Sequence, residues 1–215
     1  MNKRLSTVSA VVIMVVGVIL CGVNFYKQQS INRQVKHNLV VFQQKKKTLA
    51  ADKRSLKKQQ TIAKLKSNNP TVQANAKQTA AQQQLNQVSH KFFKTVMTFD
   101  NLQTWQKRSR LVAPYVSADV LSNKNLFNSG KDNTGNDIFK ASHIHSKFGS
   151  ATVTSSQLND DGSITGNVLV TFDNWTGDND PGVITDVYTV KYDTKQKKLT
   201  SVQRVANLEV TSSDN

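Results

Sequence analysis

The chain has 215 residues, of which 37% are hydrophobic, below the roughly 45–50% of an ordinary globular protein. Twenty-nine Lys and Arg face 14 Asp and Glu, for a net charge of +15, and the single cysteine, Cys21, excludes an intramolecular disulfide and a Cys-based zinc site. Length and composition speak against a large two-layered enzyme and leave room for one or two domains. The charge is concentrated: residues 27–70 carry 12 cations and one acid, Asp52, whereas residues 71–215 carry 15 cations and 13 acids.

After a four-residue tail holding Lys3 and Arg4, residues 5–25 read LSTVSAVVIMVVGVILCGVNF, 21 residues without a charge. A helix rising about 1.5 Å per residue spans the ~30 Å hydrocarbon core with this length. Val11, Val12, Ile13, Val15, Val16, Val18, Ile19 and Leu20 form the apolar centre of the expected membrane anchor. A cleaved signal peptide would need small residues in an A-x-A pattern before Tyr26, and none stands there. A lipoprotein reading centred on Cys21 meets the bulky Leu20. Gly17 and Gly22 make no GxxxG pair. The early cationic tail favours a cytoplasmic N-terminus, with the rest of the chain extracytoplasmic in a single-pass protein of the cell membrane; the basic residues beyond the anchor pull the other way.

Residues 26–74 are expected to form a basic helical stalk. From 27 to 70 there is no Gly and one proline, Pro70, and Lys and Gln dominate, a composition that favours helix and disfavours a core. Val35, Phe42, Leu49, Leu56 and Ala63 recur every seven residues, but the companion positions of a coiled-coil heptad are mostly polar. The seam is half made, as in a solvated stalk or one that pairs with a different helix. Ser67 to Pro70 are expected to end it. Lys45, Lys46, Lys47, Lys53, Arg54, Lys57 and Lys58 are the candidate contacts to an anionic lipid or wall polymer, at about 1 kcal/mol per cation near a charged membrane surface. Phe42 is the one aromatic residue of the stretch, so single-stranded nucleic acid finds no stacking platform.

Residues 75–210 are expected to form an α+β domain, with 211–215 as a tail. Ala81, Leu85, Val88, Phe92, Val96 and Phe99 follow helical spacing, predicting a long helix to about Thr98. Asp100 or Asn101 caps a second helix that Pro114 interrupts, and Ser117 caps a short third. Residues 122–140 read as a loop, with Leu126 and Phe127 tucked back. From Ala141 the period becomes two. Strands are expected near 143–155, around the alternation Ile164, Gly166, Val168, Val170 and Phe172, over 183–192, and from Leu199 to about Ala206. Asp161 and Gly162 mark a hairpin turn, which places Ser163 at an exposed position.

No catalytic, cofactor or metal residue is assigned. His143 and His145 have ligand spacing on one expected strand face but lack a visible third ligand. Asp173, Asp178, Asn179 and Asp180 lack the terminal Glu of a calcium loop, and Ser129-Gly130-Lys131 lacks the upstream glycine of a phosphate loop. The chain holds one Glu, Glu209, and no nucleophile in an elbow motif. Phe92, Val168 and Tyr188 are expected where a pocket between helix and sheet would open, and as apolar or aromatic side chains they read as core.

The anchor LSTVSAVVIMVVGVILCGVNF, the helix LNQVSHKFFKTVMTF and the strands ITGNVLVTFDNW and VITDVYTVKYD follow an order that resembles the bitopic scaffold subunit of type IV secretion systems, including the TcpC-like conjugation proteins. The resemblance implies an N-terminal transmembrane helix, a helical stalk and a cone-like, nuclear-transport-factor-two-like domain of helices on a curved antiparallel sheet. It further implies a non-enzymatic role in a DNA-transfer channel, through contacts with other channel subunits and with copies of itself. The alternative is a membrane-tethered envelope module that holds an anionic wall polymer or lipid. The stalk is more charged than the resemblance requires.

Overall fold

The computed structural model describes residues 35–211, and chain contacts divide the protein into two units, Met1–Gln60 and Thr61–Asn215. The anchor residues Val11 to Leu20 lie outside the described residues. Among the described residues no helix is long and apolar enough to cross a membrane.

Helix α1 covers residues 35–65. Beyond it Asn69 caps helix α2 (Pro70–Val96), its side chain accepting from the Thr71 and Val72 amides at 2.9 and 3.3 Å. Pro70 therefore opens a helix at its first position, where a missing N–H costs nothing, besides closing the stalk before it. Ala81, Leu85, Ser89, Phe92, Phe93 and Val96 are buried along one face of α2. The helix stops at Val96, two residues short of expectation, because the backbone of Phe99 pairs with Ser146 of the sheet, at 3.0 and 2.8 Å.

Helix α3 (Leu102–Val112) starts with a reciprocal cap between Asn101 and Thr104. Pro114 falls in a 3-10 turn, Ala113–Tyr115, and Ser117 caps the one-turn helix α4 (Ala118–Leu121). Within the expected loop 122–140, Leu126 is buried as foreseen. The end of that loop instead begins a short helix, α5 (Ile138–Ser142), because Asp137 accepts from the Phe139 and Lys140 amides.

Four strands form an antiparallel meander in the order β1 (Ile144–Ser155), β2 (Ser163–Thr176), β3 (Gly182–Asp193) and β4 (Lys198–Thr211). β2 turns Ile164, Gly166, Val168, Val170 and Phe172 into the core, as its alternation dictates. Gly166 is required for contact with α2: a Cβ there would sit 2.8 Å from the Thr154 carbonyl oxygen and 2.9 Å from Leu85 Cδ2. Gly162, at φ +85°, makes the β1–β2 turn. Ser163 is buried rather than exposed, its hydroxyl accepting from Asn159 Nδ2 at 3.0 Å. Bulges interrupt β1 between Phe148 and Ser150, and β4 at three places along its pairing with β3, adding local bend and twist to the sheet.

Candidate functional site

Two places could carry function: the interior between α2 and the sheet, and the surface of α1. The interior is packed. Phe92 and Phe93 are edge-to-face at 5.0 Å between ring centroids, Phe93 meets Tyr188 at 4.7 Å, and Val168 is fully buried beneath them. Phe92, Val168 and Tyr188, read from the sequence as core, fill this space with apolar surface together with Phe93.

Two charged side chains, Arg108 and Asp186, are buried among the described residues, neither singled out from the sequence. Arg108 of α3 is 3% exposed. Its guanidinium donates to the Trp105, Val96 and Leu126 carbonyls at 3.1, 2.7 and 3.0 Å, tying together α3, the end of α2 and the following loop. Its Cζ stands 3.3 Å from the centre of the Trp105 ring, with Phe99 at 5.2 Å and Phe127 at 6.0 Å. Burial lowers its pKa to about 9, so it remains a cation at neutral pH. The Val96 carbonyl is among the last of α2, where the helix dipole presents its negative end, so the arginine caps that helix from the side. All three carbonyl partners belong to the backbone, which makes this a clamp rather than an anion site.

Asp186 is the second group, 2% exposed on the inward face of β3. Its carboxylate accepts from Arg204 Nη2 at 2.6 Å, Asn207 Nδ2 at 2.9 Å and Tyr188 Oη at 3.3 Å. Arg204 and Asn207 are the cross-strand partners of Tyr188 and Asp186, with one bulged residue, Val205, lying between them. The cluster thus fixes the register of β4 on β3. The hydrogen bond that Arg204 donates to Asp186 raises the Arg204 pKa, and burial raises that of Tyr188. Asp186 was visible in the sequence as the acid in the inward phase of Ile184, Asp186, Tyr188, Val190 and Tyr192. Arg108 left a weaker signal, three residues after Trp105 on one helical face.

The histidine pair does not share a strand face. His143 caps α5 in the left-handed region, φ 46°, while His145 lies in β1 and stacks on Trp175 at 5.2 Å and 16°. The helix cap breaks the alternation that the spacing assumed. Among the described residues no three His, Cys, Asp or Glu cluster as metal ligands would. Gly130 of the Ser-Gly-Lys fragment sits at φ +71° against Leu102, Trp105 and Phe139, so it serves packing.

On α1, Lys45, Lys46, Lys47, Lys53, Arg54, Lys57 and Lys58 are all exposed. At 100° per residue they do not form one face. Lys46, Lys53 and Lys57 fall in a row beside the Phe42, Leu49 and Leu56 stripe, Lys47, Arg54 and Lys58 fall in a second row further round, and Lys45 borders the stripe on its other side. Val35, Phe42, Leu49 and Leu56 are 58, 64, 70 and 59% exposed.

No protein-family model matches the chain, and no characterised protein sequence matches it. The chain is similar to the crystal structure of CagV, a VirB8 homolog of the T4SS from Helicobacter pylori strain 26695. That similarity runs at 12% identity over 59% of this chain and 99% of the other, with a TM-score of 0.42.

Proposed function

We propose that this chain is a non-enzymatic, single-pass membrane-anchored scaffold subunit of a conjugative DNA-transfer channel of the type IV secretion kind, acting through protein–protein contacts of an extracytoplasmic helix–sheet unit. The order of its elements carries the reading: a charge-free segment at residues 5–25, a cationic helix, and then α2, α3 and a four-stranded meander. The interior of that unit supports it, since Phe92, Phe93, Val168 and Tyr188 fill the space that an enzyme of this architecture would use as a pocket. What such a unit offers to partners is therefore its outer surface and its sheet edges. Its partners are other channel subunits and copies of itself.

Deleting the gene from its cells and scoring plasmid transfer tests this. Transfer is expected to fall by orders of magnitude and to return when the chain is resupplied. Undiminished transfer would overturn the reading. A second reading, an envelope module for an anionic wall polymer or lipid, rests on the two cationic rows of α1. It predicts normal transfer on deletion and salt-sensitive retention of the chain by purified wall polymer or by phosphatidylglycerol vesicles.

A further inference from the structure

The stripe on α1 leaves four large apolar side chains more than half exposed on a helix that buries almost nothing. A helix of this length draws most of its stability from packing an apolar face, so this stripe calls for a cover. Its period identifies the kind of cover. Val35, Phe42, Leu49 and Leu56 repeat at seven residues without slippage, and a straight helix drifts about 20° per heptad away from such a repeat. Only a partner helix that supercoils with α1 keeps the stripe in contact throughout. A membrane surface favours a wide apolar face at the ordinary helical period, and from Phe42 to Leu56 this stripe is one residue wide, Leu39 widening it at its start.

Charge identifies the partner's chemistry. The position three residues after each stripe residue would also face a paired helix, and it is occupied by Asn38, Lys45, Asp52 and Gln59. In a parallel pair of identical chains Lys45 would meet Lys45 and Asp52 would meet Asp52 inside the seam, which is unfavourable. Beside the seam run Lys46 and Lys53, four residues after Phe42 and Leu49, while the other flank carries Val41, Thr48 and Ser55 without charge. One flank of the seam is cationic and the other neutral. We propose that residues 35–58 of α1 dock an acidic amphipathic helix of another protein, whose apolar seam covers Phe42, Leu49 and Leu56 and whose carboxylates meet Lys45, Lys46 and Lys53. The inference does not depend on the secretion reading, because it is measured on the isolated protein.

The test uses the full chain in nanodiscs of neutral phosphatidylcholine. The probe is a fluorescein-labelled 28-residue peptide with Leu at the two seam positions and Glu at the flanking positions of each heptad. Saturable binding with a rise in anisotropy and a gain of helical circular dichroism is expected. Phe42→Ser and Leu49→Ser should each weaken it at least tenfold. Val40→Ser, at a residue as exposed but off the stripe, should change it less than twofold, and these exposed sites leave folding intact. Lys46→Glu with Lys53→Glu should weaken the acidic peptide and admit its Lys-flanked counterpart. Equal binding of a scrambled peptide of the same composition would overturn the proposal in favour of unspecific charge attraction. Self-association that Leu49→Ser abolishes would assign the stripe to a second copy. Stripe-dependent binding to phosphatidylserine nanodiscs without peptide would assign it to lipid.

Discussion

Arg108 shows how a single buried charge can organise a small domain. A guanidinium out of water is costly unless its N–H groups are satisfied, and here three backbone carbonyls and an aromatic face satisfy it. Removing it takes their donor from the Val96 and Leu126 carbonyls, so Arg108→Met is expected to lower stability by roughly 2–4 kcal/mol by urea denaturation. Arg108→Lys should recover little, since one ammonium cannot span three acceptors held in a fork. The tyrosines make a second prediction. Burial raises the pKa of both Tyr188 and Tyr192, so in the folded chain they keep their protons above the ordinary value of about 10. A group whose folded pKa is raised gives stability in full below its unfolded pKa and loses it as pH climbs toward the folded one. Stability should therefore decline above about pH 10. Absorbance at 295 nm should show Tyr188 and Tyr192, two of the four tyrosines, ionising above the ordinary tyrosine range for as long as the fold persists. Tyr188→Phe should shift that alkaline transition upward relative to its stability at pH 8.

At the scale of elements, α2 and β2 meet through a residue with no side chain. Gly166 lets Leu85 close on the sheet, and Gly166→Ala is expected to destabilise by about 1–3 kcal/mol through overpacking. Leu85→Ala alone opens a cavity costing about 2–5 kcal/mol. The two together should cost less than the sum, because the added methyl enters space that Leu85 vacates; rescue stays partial, since the Thr154 carbonyl still crowds that methyl. Additive losses in a thermal or urea double-mutant cycle would show that the two sites do not touch. The same contact explains why α2 and β2 were readable from their periods: Leu85, Phe92 and Val96 at helical spacing and Ile164 to Phe172 in alternation each declare a buried face. What was not readable depended on partners distant in sequence. Phe99 left its helix because Ser146 pairs with it, and His143 left its strand face because α5 ends there. Ser163 looked like an exposed turn residue, and the hydrogen bond from Asn159 draws it in. The polar groups of the interior were missed for a related reason: Arg108 and Asp186 have partners 12 to 21 residues away in sequence.

For the whole molecule, charge is unevenly divided: residues 27–70 carry 12 cations and one acid, whereas residues 71–215, with 15 cations and 13 acids, are close to neutral. On which side of a membrane that cationic stretch lies decides what it can meet, a wall polymer and channel subunits on one side or the inner leaflet and nucleic acid on the other. The proposed topology puts Lys3 and Arg4 in the cytoplasm, against the pull of the basic residues beyond the anchor. The cysteine content permits a direct measurement. Under that proposed topology Cys21 lies within the membrane, where an aqueous reagent would not reach it and a thiol would ionise poorly. Every residue after it lacks a thiol. Because Ser163 is buried, the label belongs on Asp160, which is exposed in the β1–β2 turn. Asp160→Cys should react with a membrane-impermeant maleimide on intact cells, while the parent chain should stay unlabelled before and after lysis. Reaction of Asp160→Cys only after lysis would put the helix–sheet unit in the cytosol. The scaffold reading would then fail, and the rows led by Lys46 and Lys47 would face anionic lipid from inside the cell.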